Sequence, residues 1–144
     1  MSGCLFWAKG EEFDVDAFLL GSSLLPDQVY HRGEIMLAKQ PDRLRSFSGF
    51  HLVASETWGC LEPQIKDVIE FLREHELELS RLAHYPGVTQ ICLDFPYERR
   101  QGAVTQTDSL PPELLLLAGS LGISIDLTLY PHASDELAPD PQAI

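Results

Sequence analysis

Apolar and polar positions along this chain fall into short blocks with two distinct periods. Residues 4–8, Cys-Leu-Phe-Trp-Ala, read as a first strand that is buried on at least one face. Asp14 precedes Val15-Asp16-Ala17-Phe18-Leu19-Leu20, and Gly21 follows. A capping aspartate, acids in the first turn and a glycine stop predict a short helix there. Leu25-Pro26-Asp27 reads as a turn, and Gln28 to Arg32 as a short strand ending at Gly33-Glu34. Between 35 and 49, Lys39, Pro41, Arg43, Arg45, Ser46, Ser48 and Gly49 interrupt any period, so a surface loop is expected. Phe50 to Ser55 then alternates. Phe50, Leu52 and Ala54 share one side; His51, Val53 and Ser55 share the other.

The period changes after a turn at Thr57 to Cys60. Leu61, Ile65, Val68, Leu72, His75, Leu79 and Leu82 recur in steps of three and four, which is one face of a helix. Pro63 is tolerated only in a first turn, so it marks the start. Glu70, Glu74 and Glu78 line the opposite, solvated side. Leu77 leaves the stripe near His75, which predicts either one bent helix or two segments. Tyr85-Pro86-Gly87 ends the helical run. Val88 to Phe95 alternates as a strand, with Ile91, Leu93 and Phe95 on one side and Gln90, Cys92 and Asp94 on the other. Pro96 to Ser109 reads as a polar loop. Pro111 to Gly122 starts with proline, stops with glycine and is apolar nearly all round, so a well-buried helix is expected. Ile123 to Tyr130 alternates strictly, as a strand does.

This order predicts one α+β domain over residues 1–131, followed by a mobile, acidic, proline-containing tail at 132–144. The expected architecture is a two-layer sandwich with a mainly antiparallel sheet and helices on one face. A ferredoxin-like arrangement is the simplest topology that fits it.

Charge narrows the partners. The chain carries 22 acidic and 10 basic residues, a formal net charge of -12. Residues 61–144 hold 14 of those acids and 5 of the bases, so most of the excess lies there. An acidic surface repels phosphate backbones and anionic membranes, and no basic stripe offsets it. No run approaches the roughly 20 apolar residues that span a bilayer. Neither nucleic acid nor membrane is an expected partner. Cys4, Cys60 and Cys92 are sparse, odd in number and not closely spaced, which argues against a disulfide framework. The first residues lack the basic region and apolar core of a signal peptide, so a cytoplasmic location is expected.

The polar side of the predicted strands collects His51, Ser55, Gln90, Cys92, Asp94, Ser124, Asp126 and Thr128, with Tyr130 at its end. Asp94 and Asp126 could form a carboxylate pair, which can do acid–base work when one pKa is raised; the plainer reading is two solvated aspartates. A nucleophile at Ser55 or Cys92 with His51 as base has no local signature. His51 and Ser55 lie about 13 Å apart along one strand side. Five scattered histidines show no metal-ligand spacing, so no metal or cofactor is expected. Trp7 reads as a core residue and Trp58 as a turn residue.

Several segments together resemble one bacterial family. They are the stretch from Asp14 through the Leu-x-Pro turn at Leu24-Leu25-Pro26, the His31-Arg32-Gly33-Glu34 corner, and the late strand ending in Tyr130. The chain so resembles the Domain of Unknown Function 4279 family over nearly residues 4–131. Phe50 stands near the place where that pattern expects a tryptophan. The resemblance implies a small α+β fold, no catalytic residue that can be carried over, and a link to toxin–immunity systems. The expected function is therefore a non-enzymatic inhibitor that covers a basic toxin surface. Its expected contact residues are Glu70, Glu74 and Glu78 on the helix side, and Asp94, Glu98 and Asp126 on and beside the last strands. The rival readings are a small enzyme using Asp94 and Asp126, and a homodimer that buries the open sheet face.

Overall fold

A computed structural model describes residues 3–132. The expected tail therefore lies outside the described residues, apart from His132. Four helices and seven strands follow one another along the described chain. Strand β1 (Leu5–Gly10) leads to helix α1 (Val15–Leu19), then β2 (Gln28–Tyr30), β3 (Ile35–Leu37), β4 (Gln40–Leu44) and β5 (Ser48–Val53). Helices α2 (Leu61–Glu74) and α3 (Glu76–Ala83) come next, then β6 (Gln90–Glu98), α4 (Pro112–Ser120) and β7 (Ser124–Tyr130).

Five strands form one sheet in the order β2-β5-β1-β6-β7, and β3 and β4 form a separate hairpin. Strand β1 is central and antiparallel to both neighbours: Trp7 sits between His51 of β5 and Cys92 of β6. The α4 crossover makes β6 and β7 parallel, as a helical connection of this length permits. A ferredoxin-like fold interleaves two split βαβ units. Here β6-α4-β7 is unsplit, so the expectation of two layers holds while that topological detail does not.

One face of the sheet carries the core. Phe6 and Ala8 of β1, Phe50 and Leu52 of β5, and Leu93 and Phe95 of β6 are buried there against all four helices. Phe18 of α1 stacks on Phe50, and Phe6 packs against Phe50 and Phe71. The predicted stripe on the long helix is this buried surface: Leu61, Ile65, Val68, Leu72, Leu79 and Leu82 all lie in the core. The run does break at His75, which caps α2 and precedes α3. Asp14 caps α1 as expected, accepting the Ala17 N–H at 3.1 Å. His84 ends α3 and bonds the Ser80 carbonyl through Nδ1.

Four expectations change. The 35–49 segment is exposed, but it is a hairpin rather than a loop; Pro41 is tolerated because this two-stranded ribbon has free edges. Strand β6 runs past Pro96 to Glu98. Its pairing with β1 stops at Asp94, so beyond that point no β1 carbonyl waits for the missing proline N–H. Helix α4 buries Leu114 and Ala118 but leaves Leu116 74% exposed, because it packs on α2 and the edge strand β7 with no layer beyond. Glu78 does not continue the Glu70–Glu74 line. The break at His75 turns it towards Arg81, which it pairs with, and its side chain is only 18% exposed.

Two close backbone approaches fix the ends of the sheet. Gly87 has φ +90, and a Cβ there would lie 2.3 Å from the Glu12 carbonyl. A Cβ on Gly10 would lie 1.7 Å from the Gly87 carbonyl. Only glycine fits at both positions. Gln64 ties the layers together: fully buried on α2, it donates to the Thr57 and Pro96 carbonyls at 2.9 and 2.8 Å.

Two predictions follow from these ties. Gln64→Leu leaves two carbonyls without donors and should cost about 1–3 kcal/mol in a denaturant titration. His31 bonds Glu34 through Nδ1 and Asp16 through Nε2 at 2.8 Å; carboxylates only accept, so the ring makes both bonds only in its protonated form. Those bonds, Glu34 first, raise its pKa above the ordinary 6.5. The stabilisation is complete below that ordinary value and is lost as pH rises through the raised one. The melting-temperature gap between wild type and His31→Ala should therefore shrink between pH 5.5 and 9.

Candidate functional site

Among the described residues, no helix covers the second face of the sheet. Alternation along the strands sends a defined set of side chains there: Leu5, Trp7 and Lys9 from β1, His51 and Val53 from β5, Gln90, Cys92 and Asp94 from β6, and Ser124, Asp126, Thr128 and Tyr130 from β7. The expected polar set assembles on this face with one exception. Ser55 lies past the end of β5, where Ala54 and Ser55 both donate to the Cys4 carbonyl. That local bulge turns the chain. The Ser55 hydroxyl then bonds Asp67 of α2 at 2.7 Å, on the helix side. Ser55 therefore does not face His51.

Asp94 and Asp126 are direct register partners on the parallel pair β6 and β7. Neighbouring strands are roughly 4.8 Å apart, so the two carboxylates stand side by side. Each has its own donor. The Thr128 hydroxyl donates to Asp94 at 2.6 Å, and the Cys92 thiol donates to Asp126 at 3.3 Å. Asp126 is exposed and Asp94 half-buried. The dimple beside Asp126, between Trp7 and Cys92, holds only ≈ 130 Å³. Small-molecule sites usually need about 300–1,000 Å³, so this spot suits a protruding partner group better than an enclosed substrate.

Aromatic residues flank the acids. Trp7, expected in the core, is half-buried on the open face, with the Lys9 ammonium 4.9 Å from its ring centre. Its place on a central strand hid this, since a tryptophan in an apolar block looks like core. Trp58 packs edge-on against Tyr130 at 5.4 Å, beyond the far end of β1. Glu98 is half-buried and borders a larger cleft of ≈ 470 Å³, between the start of α2 and the 98–109 segment. Tyr97 helps hold that segment by donating to Asp108 at 2.9 Å. Glu70 and Glu74 are exposed on α2, in the helix layer on the opposite side of the molecule. The structure thus brings Asp94 and Asp126 together, places Glu98 four residues further along β6 at a separate cleft, and leaves the helix glutamates on the other layer.

Nucleophilic and metal chemistry find little here. Burial first, then the Asp126 hydrogen bond, push the Cys92 thiol up to about 12. Burial also raises the Cys4 thiol strongly. Thiols held in the neutral form are poor nucleophiles. Among the described residues, no group of three or more His, Cys, Asp or Glu side chains is disposed to hold a metal. None of their helices is long and apolar enough to cross a membrane. A thiol-reactive dye at pH 8 should accordingly label only the exposed Cys60 in native protein, by intact-mass counting. Cys4 and Cys92 should react only on unfolding.

No curated protein and no solved structure matches this chain. A family model described as Domain of unknown function (DUF4279) matches residues 2–132, which spans both layers, the open face and the adjoining cleft. The chain belongs to that family.

Proposed function

We propose that this chain is a non-enzymatic binding protein, an immunity-type inhibitor that works in the bacterial cytoplasm by covering a basic surface of a toxin. The uncovered sheet face carries this reading. There the adjacent Asp94 and Asp126 stand near half-buried Trp7, and Glu98 lies further along β6 beside the neighbouring cleft. Interfaces favour such aromatic anchors bordered by polar groups. A net charge of -12 would speed encounter with a basic protein and disfavour nucleic acid. On the open face itself, the small dimple beside the buried, neutral Cys92 thiol supports binding over catalysis.

The test is binding and inhibition of basic toxins encoded beside the gene, measured at low and high salt. Asp94→Asn with Asp126→Asn should slow association roughly tenfold at low salt, and the gap should close at high salt. Glu70→Gln with Glu74→Gln, on the helix layer, should leave binding unchanged. If no such toxin binds at low salt, the inhibitor reading fails. If the helix variants lose binding instead, the contact lies on the helix layer and not on the open face.

A further inference from the structure

The two edges of the main sheet are not alike. Strand β2 is an edge of three residues. Among the described residues, strand β7 is an edge of seven, Ser124–Tyr130, in unbroken register with β6. Long edges in native proteins usually carry lysine, proline or a bulge that blocks further pairing. The sequence of β7 has no lysine and no proline, and it holds one charge, Asp126. Apolar side chains stand exposed beside this edge: Leu127 and Leu129 on the strand, and Leu115 and Leu116 on α4. Between residues 110 and 130 only Glu113 and Asp126 are charged, and Glu113 is paired with Arg73. On a chain of net charge -12, two copies can meet along this stretch with little repulsion.

We infer that the free edge of β7, with the apolar side of α4 beside it, is where a second copy of this chain adds its own β7, antiparallel and centred on Leu127. The backbone directions suit that register. The Tyr130 carbonyl accepts from the Arg99 N–H, so it points towards the β6 end. By alternation, Ile125, Leu127 and Leu129 turn their backbone groups outward. A two-fold axis at Leu127 pairs these three with Leu129, Leu127 and Ile125 of the other copy, the hydrogen-bonded pairs of an antiparallel ladder. Asp126 then meets Thr128 of the second copy, so no two carboxylates face each other. The two sheets join into one of ten strands, and both open faces stay free. This interface does not depend on the toxin-binding reading, and Asp126 is the residue where the two surfaces meet.

Sedimentation of the full chain should show a dimer of twice 16.1 kDa that strengthens with added salt, because screening lowers the mutual repulsion. That salt response is opposite to the one expected for a basic partner. Leu127→Lys should give a monomer with unchanged circular dichroism. A second arm needs no disruptive change. Leu127→Cys in a Cys60→Ser background should form a disulfide between copies on mild oxidation, since paired Cα atoms roughly 5.5 Å apart are within reach. In wild type, the Leu127 and Leu129 amides should exchange slowly when concentrated and quickly on dilution. A chain that stays monomeric at millimolar concentration would overturn the proposal. So would a dimer that persists in Leu127→Lys, or a monomer whose Leu127 amide is protected at every dilution, which would assign the edge to another occupant.

Discussion

The fold depends on burying one strand between two others on a sheet that has only one covered face. Phe6 and Ala8 of β1 point into the helix layer, where neither retains exposed surface. Leu5, Trp7 and Lys9 alternate to the other side. Burying side chains such as Phe6 stabilises the fold by about 1.5–3 kcal/mol each relative to exposure. A slip of one residue in β1 would reverse both sets and move a lysine into the core. The register of β5 and β6 on either side follows from this, and so do the positions of His51, Cys92 and Asp94. The open face inherits its order from the core beneath it.

Because register is imposed from the core side, chemistry on the open face is held without being designed into a pocket. Asp94 and Asp126 are neighbours because Leu93 and Ile125 are neighbours one position earlier. Their donors, Thr128 and Cys92, come from the same two strands. The face is therefore rigid in backbone and shallow in shape. Such a surface suits recognition of another protein, where small cavities are filled by side chains of the partner. The glutamates of α2 face solvent from the other layer and share no contact region with it.

What could be read from the sequence were the elements with one buried side. The α2–α3 stripe, the break at His75, the capped α1 and the alternation of β5 all record a core that the sequence must respect. Where neither side is buried, no such record exists. The β3–β4 hairpin keeps Ile35, Leu37 and Leu44 about half exposed, so burial imposes no alternation there. Strand β6 outran its expected end because Pro96 is excluded only where a neighbouring strand needs its N–H, and pairing order cannot be seen locally. The apolar surround of α4 suggested full burial, but only its position near the sheet edge decides how much is covered. The carboxylate pair was legible as two residues on a common side. That they are exact register partners depended on β6 and β7 being adjacent and parallel. Ser55 and Trp7 were misplaced for opposite reasons: a bulge redirected one, and an open sheet face accommodated the other.

The central place of β1 also sets the order in which the chain can fold. Its two neighbours are far apart in sequence: β5 begins at Ser48 and β6 at Gln90. The Thr89 N–H reaches the Lys9 carbonyl across 80 residues. Contacts so distant in sequence form slowly, because chain entropy is lost before they contribute. During synthesis from the N-terminal side, β1 emerges before both of its partners and waits for them. It can pair with β5 once residue 53 is available, but its second edge stays open until β6 is made. The strand that organises the finished protein is thus the one whose apolar residues are longest without cover in the nascent chain.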